Sequence, residues 1–207
     1  AVTVARFQPE QPDFESLPAP LPIQPVQGYS EATAAYTPED RAKGVGIICR
    51  RAQEEKLSAS GAFTTEVTEL AVANSLGVRA YHPATEAQLV TVIMSENSSG
   101  YGQLQAWDVS GFDIEELGDN AVKRAIISKN PTTIEPGRFT VILEEYAVAE
   151  IVHYLSYMGF GALAVQEGQS FLTGKLGQVI GDPRITIIDD GSNPLGLPRP
   201  FDYEGMP

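Results

Sequence analysis

The chain has 207 residues, 43% hydrophobic and 20% charged, with a formal net charge of -13. That is the composition of a soluble globular protein, long enough for one domain or two small ones. An acidic surface repels phosphate and excludes nucleic-acid binding, and no apolar run approaches the ~20 residues of a membrane span.

No basic-then-apolar start marks a signal peptide. The single cysteine, Cys49, leaves no internal disulfide and fits a reducing compartment, so the expected location is the cytoplasm. The chain opens on Ala1 rather than Met, as expected of a processed or excised segment. From Ala1 to Thr37 it is proline-rich and reads as an extended surface arm that packs on the domain. Leu17–Pro22 is a weak polyproline signal for a partner.

Thr37-Pro38-Glu39-Asp40 is a helix start, with a threonine cap, proline in the first turn and two acids behind it. The helix runs to about Lys56 with Ala42, Val45, Ile48, Cys49 and Ala52 on its core face. Cys49 therefore reads as a buried, inert thiol rather than a nucleophile. Gly44 and Gly46 lie inside this helical pattern, with no preceding strand, and do not form a dinucleotide loop.

Between Leu57 and Asp108 the pattern alternates and is rich in Val and Thr, predicting a meander of about four antiparallel strands. Turns are expected at Asn74–Gly77 and Asn97–Gly102. His82, before Pro83, reads as a solvent-facing or sheet-capping residue rather than a ligand. Asp113 opens a second helix, about Ile114–Ser128. The segment from Asn130 to Gly137, with two prolines and a glycine, predicts a boundary between domains at 1–133 and 134–207. Beyond it, strands are expected at Phe139–Leu143 and Arg184–Ile188, with a helix over Glu144–Phe160 between them. The fold class is α+β, an antiparallel sheet with flanking helices followed by the start of a second, mainly-β domain.

Four stretches in this order, ANSLGVRA at Ala73–Ala80, EPGRFTVIL at Glu135–Leu143, QSFLTGKLGQ at Gln169–Gln178, and ITIIDD to FDYEGMP at the end, resemble the TldD/PmbA (TldD/TldE) family. An older label for that family is modulator of DNA gyrase. The resemblance covers about Ala35–Pro207, is strongest after Glu135, and implies that this chain is a central portion of a longer protein. The family's proteolytic branch carries HExxxH on the helix after the strand. There, two histidines bind zinc, the glutamate activates water, and a third ligand lies much later in the chain.

Laid on this sequence, the first histidine falls on His153, the glutamate on Tyr154 and the second histidine on Met158. A catalytic zinc needs about three protein ligands and an open position, and its water needs a base. Tyr154 offers a phenol in place of the carboxylate, and Met158 a soft thioether. Val148, Ile151, Leu155 and Met158 form one apolar stripe, which places Met158 in a core. Glu150, His153 and Tyr157 share another face, where His153 is expected to pair with Glu150. The resemblance thus implies the PmbA/TldE-like branch: no catalytic residue, no metal ligand set and no cofactor in this chain.

By the same resemblance, zinc sits in a TldD-like catalytic partner subunit. The expected function is that of a non-catalytic subunit of a cytoplasmic metallopeptidase complex that processes peptides or unfolded protein. The chain would pair with that partner, with further copies of itself, or with both. An active metallopeptidase using a different site and a gyrase-binding regulator are the alternatives. The substrate-binding residues are not identified by sequence. Gly168–Gly177 is a stretch where a substrate backbone would have room to approach. Asp189, Asp190, Asp202 and Glu204 are of the type that ligates hard cations but lack EF-hand spacing, and Asp189-Asp190-Gly191 reads as a turn after the strand. Ser170 lies outside any GxSxG elbow.

Overall fold

A computed structural model describes residues 2–7 and 14–207. In chain order these form α1 (Val2–Ala5), α2 (Glu31–Ala34), α3 (Pro38–Glu54), β1 (Ser58–Ala73), β2 (Arg79–Met94), β3 (Ser99–Ala106), α4 (Ile114–Ile127), α5 (Glu145–Leu155) and α6 (Ala162–Gln166). Two compact units result. The first runs to Thr132 and includes Asp190–Pro207. The second is Thr133–Asp189. By contact, residues 190–207 group with the first unit.

The first unit is the expected antiparallel sheet with flanking helices. Thr37 and Asp40 close a capping box at the start of α3, and Pro38 begins the helix. This satisfies backbone donors that a helix terminus otherwise leaves open. Asp113 caps α4 through the Glu116 amide. The Asn74 carboxamide accepts from the amides of Leu76 and Val78, turning β1 into β2.

Three strands replace the four expected, in the order β1-β2-β3. The first two are 16 residues each and pair one-to-one from end to end. Pro83 does not break β2. It lies where that strand has a neighbour on one side only, since β3 pairs from Ala87 onward. Proline is tolerated at such an edge-like position. The second turn is Ser95–Ser98, and Gly100 and Gly102 lie within β3.

Gly100 is set by packing. A Cβ there would overlap the Ala121 carbonyl of α4, so helix and strand meet at backbone distance. Ile48 and Ala52 of α3, Leu117, Ala121 and Ala125 of α4, and Phe63, Leu89 and Ile93 of the sheet form the core between the layers. Each fully buried aliphatic side chain such as Leu89 or Ile93 contributes about 1.5–3 kcal/mol of transfer free energy. Cys49, on α3, is only partly buried.

β2 changes its buried face midway. Ala80 and His82 are buried, and then Thr85, Ala87, Leu89, Thr91 and Ile93. Successive strand residues point to opposite faces. The first pair therefore looks one way and the later series the other. Ala87, Leu89 and Ile93 of the later series join the α3–α4 core. The first pair meets the returning segment 190–207, where Phe201 is 3% exposed. The arm before α2 docks at the same place. Thr85 donates its amide to the Gly28 carbonyl, and Ser30 donates to Thr85 and Asp108. The arm's Leu17 and Leu21 are exposed; residues 8–13 of the arm lie outside the described part.

The second unit has no strand among its described residues. Phe139–Leu143 and Arg184–Ile188, expected as strands, are irregular. A strand exists only with a hydrogen-bonded neighbour, and Thr133–Asp189 supplies none to either. The predicted helix is present as α5, extended by a π-helical turn at Ser156–Phe160.

Candidate functional site

The helix onto which the sequence resemblance lays a zinc motif is α5. Glu144 stands at its N-cap position without a side-chain capping bond, and no residue of the helix is buried. Val152 and Leu155 border a cavity of about 1130 Å³ whose other walls include Phe160, Phe171, Leu172 and the isoleucines of 180–188, with Asp182 and Asp189 among them. Ser170 closes one end of this unit. Its hydroxyl donates to the Gly159 carbonyl and accepts from the Leu172 amide, so it is a structural pin rather than a nucleophile.

His153 is exposed on α5. Its ring lies edge-on to Tyr154, with centroids 5.8 Å apart, and its carbonyl accepts from Ser156 Oγ at 2.7 Å. The expected pairing with Glu150 is not formed: no hydrogen bond or ion pair joins them. Both side chains reach water, where a one-turn pair on a helix gains only a few tenths of a kcal/mol. Met158, expected in a core, is 66% exposed. Nothing in Thr133–Asp189 packs over that end of the stripe, and the π-helical turn at 156–160 breaks the α-helical phase that defined it.

These residues do not fit a catalytic zinc. By the sequence resemblance, Tyr154 and Met158 fall at the positions of the base and the second histidine, and His153 is the one histidine of the helix. Among the described residues, no three His, Cys, Asp or Glu side chains converge.

Two of the other candidate carboxylates, Asp190 and Asp202, are held by hydrogen bonds within their own turns. Asp190 accepts from the amide and hydroxyl of Ser192, and the Ser192 hydroxyl foremost holds its pKa below the usual carboxylate range. Asp202 accepts from the amides of Glu204 and Met206, and the Met206 amide chiefly lowers its pKa. Both are turns, the first of them expected from the sequence. Gly168, Gly174 and Gly177 also serve turns, with positive φ and open space around them.

His82, expected to face solvent or cap the sheet, is 7% exposed. Its Nε2–H donates to the Pro198 carbonyl at 3.1 Å, and Phe201 meets its ring edge-on. A carbonyl can only accept, which fixes the proton on Nε2. Trp107 Nε1 likewise donates to the Pro194 carbonyl at 3.1 Å. Sequence spacing missed this latch because its partners lie far along the chain. The apolar Phe201 within an acidic, glycine-bearing tail was the one available signal.

Residues 29–129 match the PmbA/TldA metallopeptidase central domain, and residues 136–207 match the PmbA/TldA metallopeptidase C-terminal domain. An uncharacterised protein of Methanocaldococcus jannaschii is 31% identical over 133 residues, 64% of this chain and 31% of that protein. Among solved structures, TldE from Thermococcus kodakarensis superposes with a TM-score of 0.79 at 20% identity, covering 100% of this chain and 49% of TldE. A candidate modulator of a DNA gyrase from Thermotoga maritima superposes with a TM-score of 0.81 at 22% identity, covering 93% of this chain and 47% of that one. The chain spans about half the length of these solved relatives. With both of its domains matched in sequence order, the chain belongs to the PmbA/TldD metallopeptidase family.

Proposed function

We propose that this chain belongs to a non-catalytic, TldE-like subunit of a metallopeptidase complex, working in the cytoplasm beside a TldD-like subunit that holds the zinc. The observation that carries this reading is α5 itself, where Tyr154 and Met158 stand at the positions of the base and the second ligand. One imidazole cannot hold a catalytic zinc, and a phenol in place of the carboxylate leaves its water without a base. The substrate class is a peptide or an unfolded segment, and the role of this subunit is to shape the chamber around it. The net charge of -13 argues against nucleic acid as a partner.

The test is reconstitution of the intact protein with a TldD-like subunit. Peptide cleavage is expected only from the mixture, with zinc confined to the partner and His153→Gln in this chain without effect on either. If the intact protein alone carries one zinc and cleaves peptides, and His153→Gln abolishes both, the non-catalytic reading is wrong.

A further inference from the structure

The arm before α2 and the returning segment 190–207 are far apart in sequence, yet the same few residues hold both. Thr85 donates its amide to the Gly28 carbonyl at 2.9 Å, and its hydroxyl accepts from the Ser30 amide at 2.9 Å. That hydroxyl donates in turn to the Trp107 carbonyl at 2.7 Å, and the Thr33 hydroxyl donates to the same carbonyl at 3.0 Å. Trp107 thus holds the arm side through its backbone. Through its indole it holds the returning segment, at the Pro194 carbonyl.

His82 makes a second bridge. Its Nε2–H donates to the Pro198 carbonyl, and a methyl group on Gly28 would lie 2.9 Å from that nitrogen and 3.0 Å from that oxygen. The arm, β2 and the returning segment therefore touch at one point. Gly28, Ser30, His82, Thr85, Pro198 and Phe201 are all buried. Residues in contact, or in one hydrogen-bond network, are those whose contributions fail to add.

We propose that the arm and the returning segment dock as one cooperative clasp. Each is part of the other's seat, so loosening one loosens the other. Coupling of this kind is reciprocal. Displacing the arm loosens the leg by which the chain returns from Thr133–Asp189, and seating that leg tightens the arm by the same factor.

The test is amide hydrogen exchange of the intact protein, resolved by residue, under conditions where exchange follows the opening equilibrium. The amides of Ser30 and Thr85 report the arm, and those of Arg199 and Asp202, bonded within the returning segment, report that segment. Leu89 and Ile93, where β2 has a strand on each side, are the reference. Ser30→Ala removes the side-chain bonds to Asp108 and the Thr33 amide, neither of which involves the returning segment. Trp107→Phe removes the indole donor and keeps the carbonyl.

Ser30→Ala is expected to speed exchange at Arg199 and Asp202, and Trp107→Phe at Ser30 and Thr85, each by about fivefold or more, with the reference amides unchanged. The double variant should fall short of the product of the two single effects. A cross-effect in one direction only, or in neither, would overturn the proposal. So would equal acceleration of the reference amides, because the two segments would then open only with the whole unit. Gly28→Ala crowds the contact from the arm side and is the second probe. It should speed both sets, and acceleration of one set alone would also overturn the proposal. None of these readouts depends on zinc or peptide cleavage, so failure here leaves the functional reading standing.

Discussion

The two units differ in what their apolar residues do. In the first, Ile48, Leu89, Ile93, Leu117 and Phe201 are almost wholly buried. In Thr133–Asp189 no hydrophobic side chain is buried, and Ile142, Leu176 and Val179 are 96%, 93% and 89% exposed. Hydrophobic content is similar to the eye, but burial is a property of neighbours and not of sequence. A stretch of this length with no core does not hold a fold by itself. Its backbone is instead organised by short-range bonds, such as Ser170 to Gly159 and the Asp182–Arg184 pair.

That contrast can be tested by truncation. Phe201→Ala should cost about 3–5 kcal/mol, and Leu89→Ala about 2–5 kcal/mol, read from urea unfolding midpoints. Ile142→Ala and Leu176→Ala should each stay within about 0.5 kcal/mol. A cost at Ile142 matching that at Leu89 would erase the distinction. Gly100→Ala forces the helix off β3 and is expected to cost about 1–3 kcal/mol.

Smaller effects sharpen the picture. Asp108, held by Ser30 and by the Ser110 amide, has its pKa lowered, chiefly by that amide. A lowered folded pKa means that its contribution is complete above the unfolded value of about 3.9 and is lost as pH falls through the folded value. Unfolding midpoints measured from pH 5 down to pH 2 should show this loss, and Asp108→Asn should remove that component. His153→Gln, on the exposed helix of the second unit, should change stability by less than about 0.5 kcal/mol.

Features governed by local chemistry were legible in sequence. The Thr37–Asp40 and Asp113 caps, the Asn74 turn and the Asp190 turn each depend on residues within four positions of one another. Features governed by distant neighbours were not. The same Val, Ile and Thr enrichment is a strand at Ala87–Ile93, where β1 and β3 flank it, and irregular at Phe139–Leu143, where nothing does. His82 and Met158 were misplaced for the same reason. One is covered by Pro198 and Phe201 from far along the chain, and the other lacks the cover that its stripe implied.

The return of residues 190–207 to the first unit makes Thr133–Asp189 an insertion, leaving and re-entering the same body. The main chain is therefore not what holds that last segment in place. Phe201, the His82–Pro198 bond and the Trp107–Pro194 bond do so across open sequence. A protease that nicks the second unit should leave two fragments that stay together without a covalent link, and the severed tail should behave as a tightly bound peptide of its own protein.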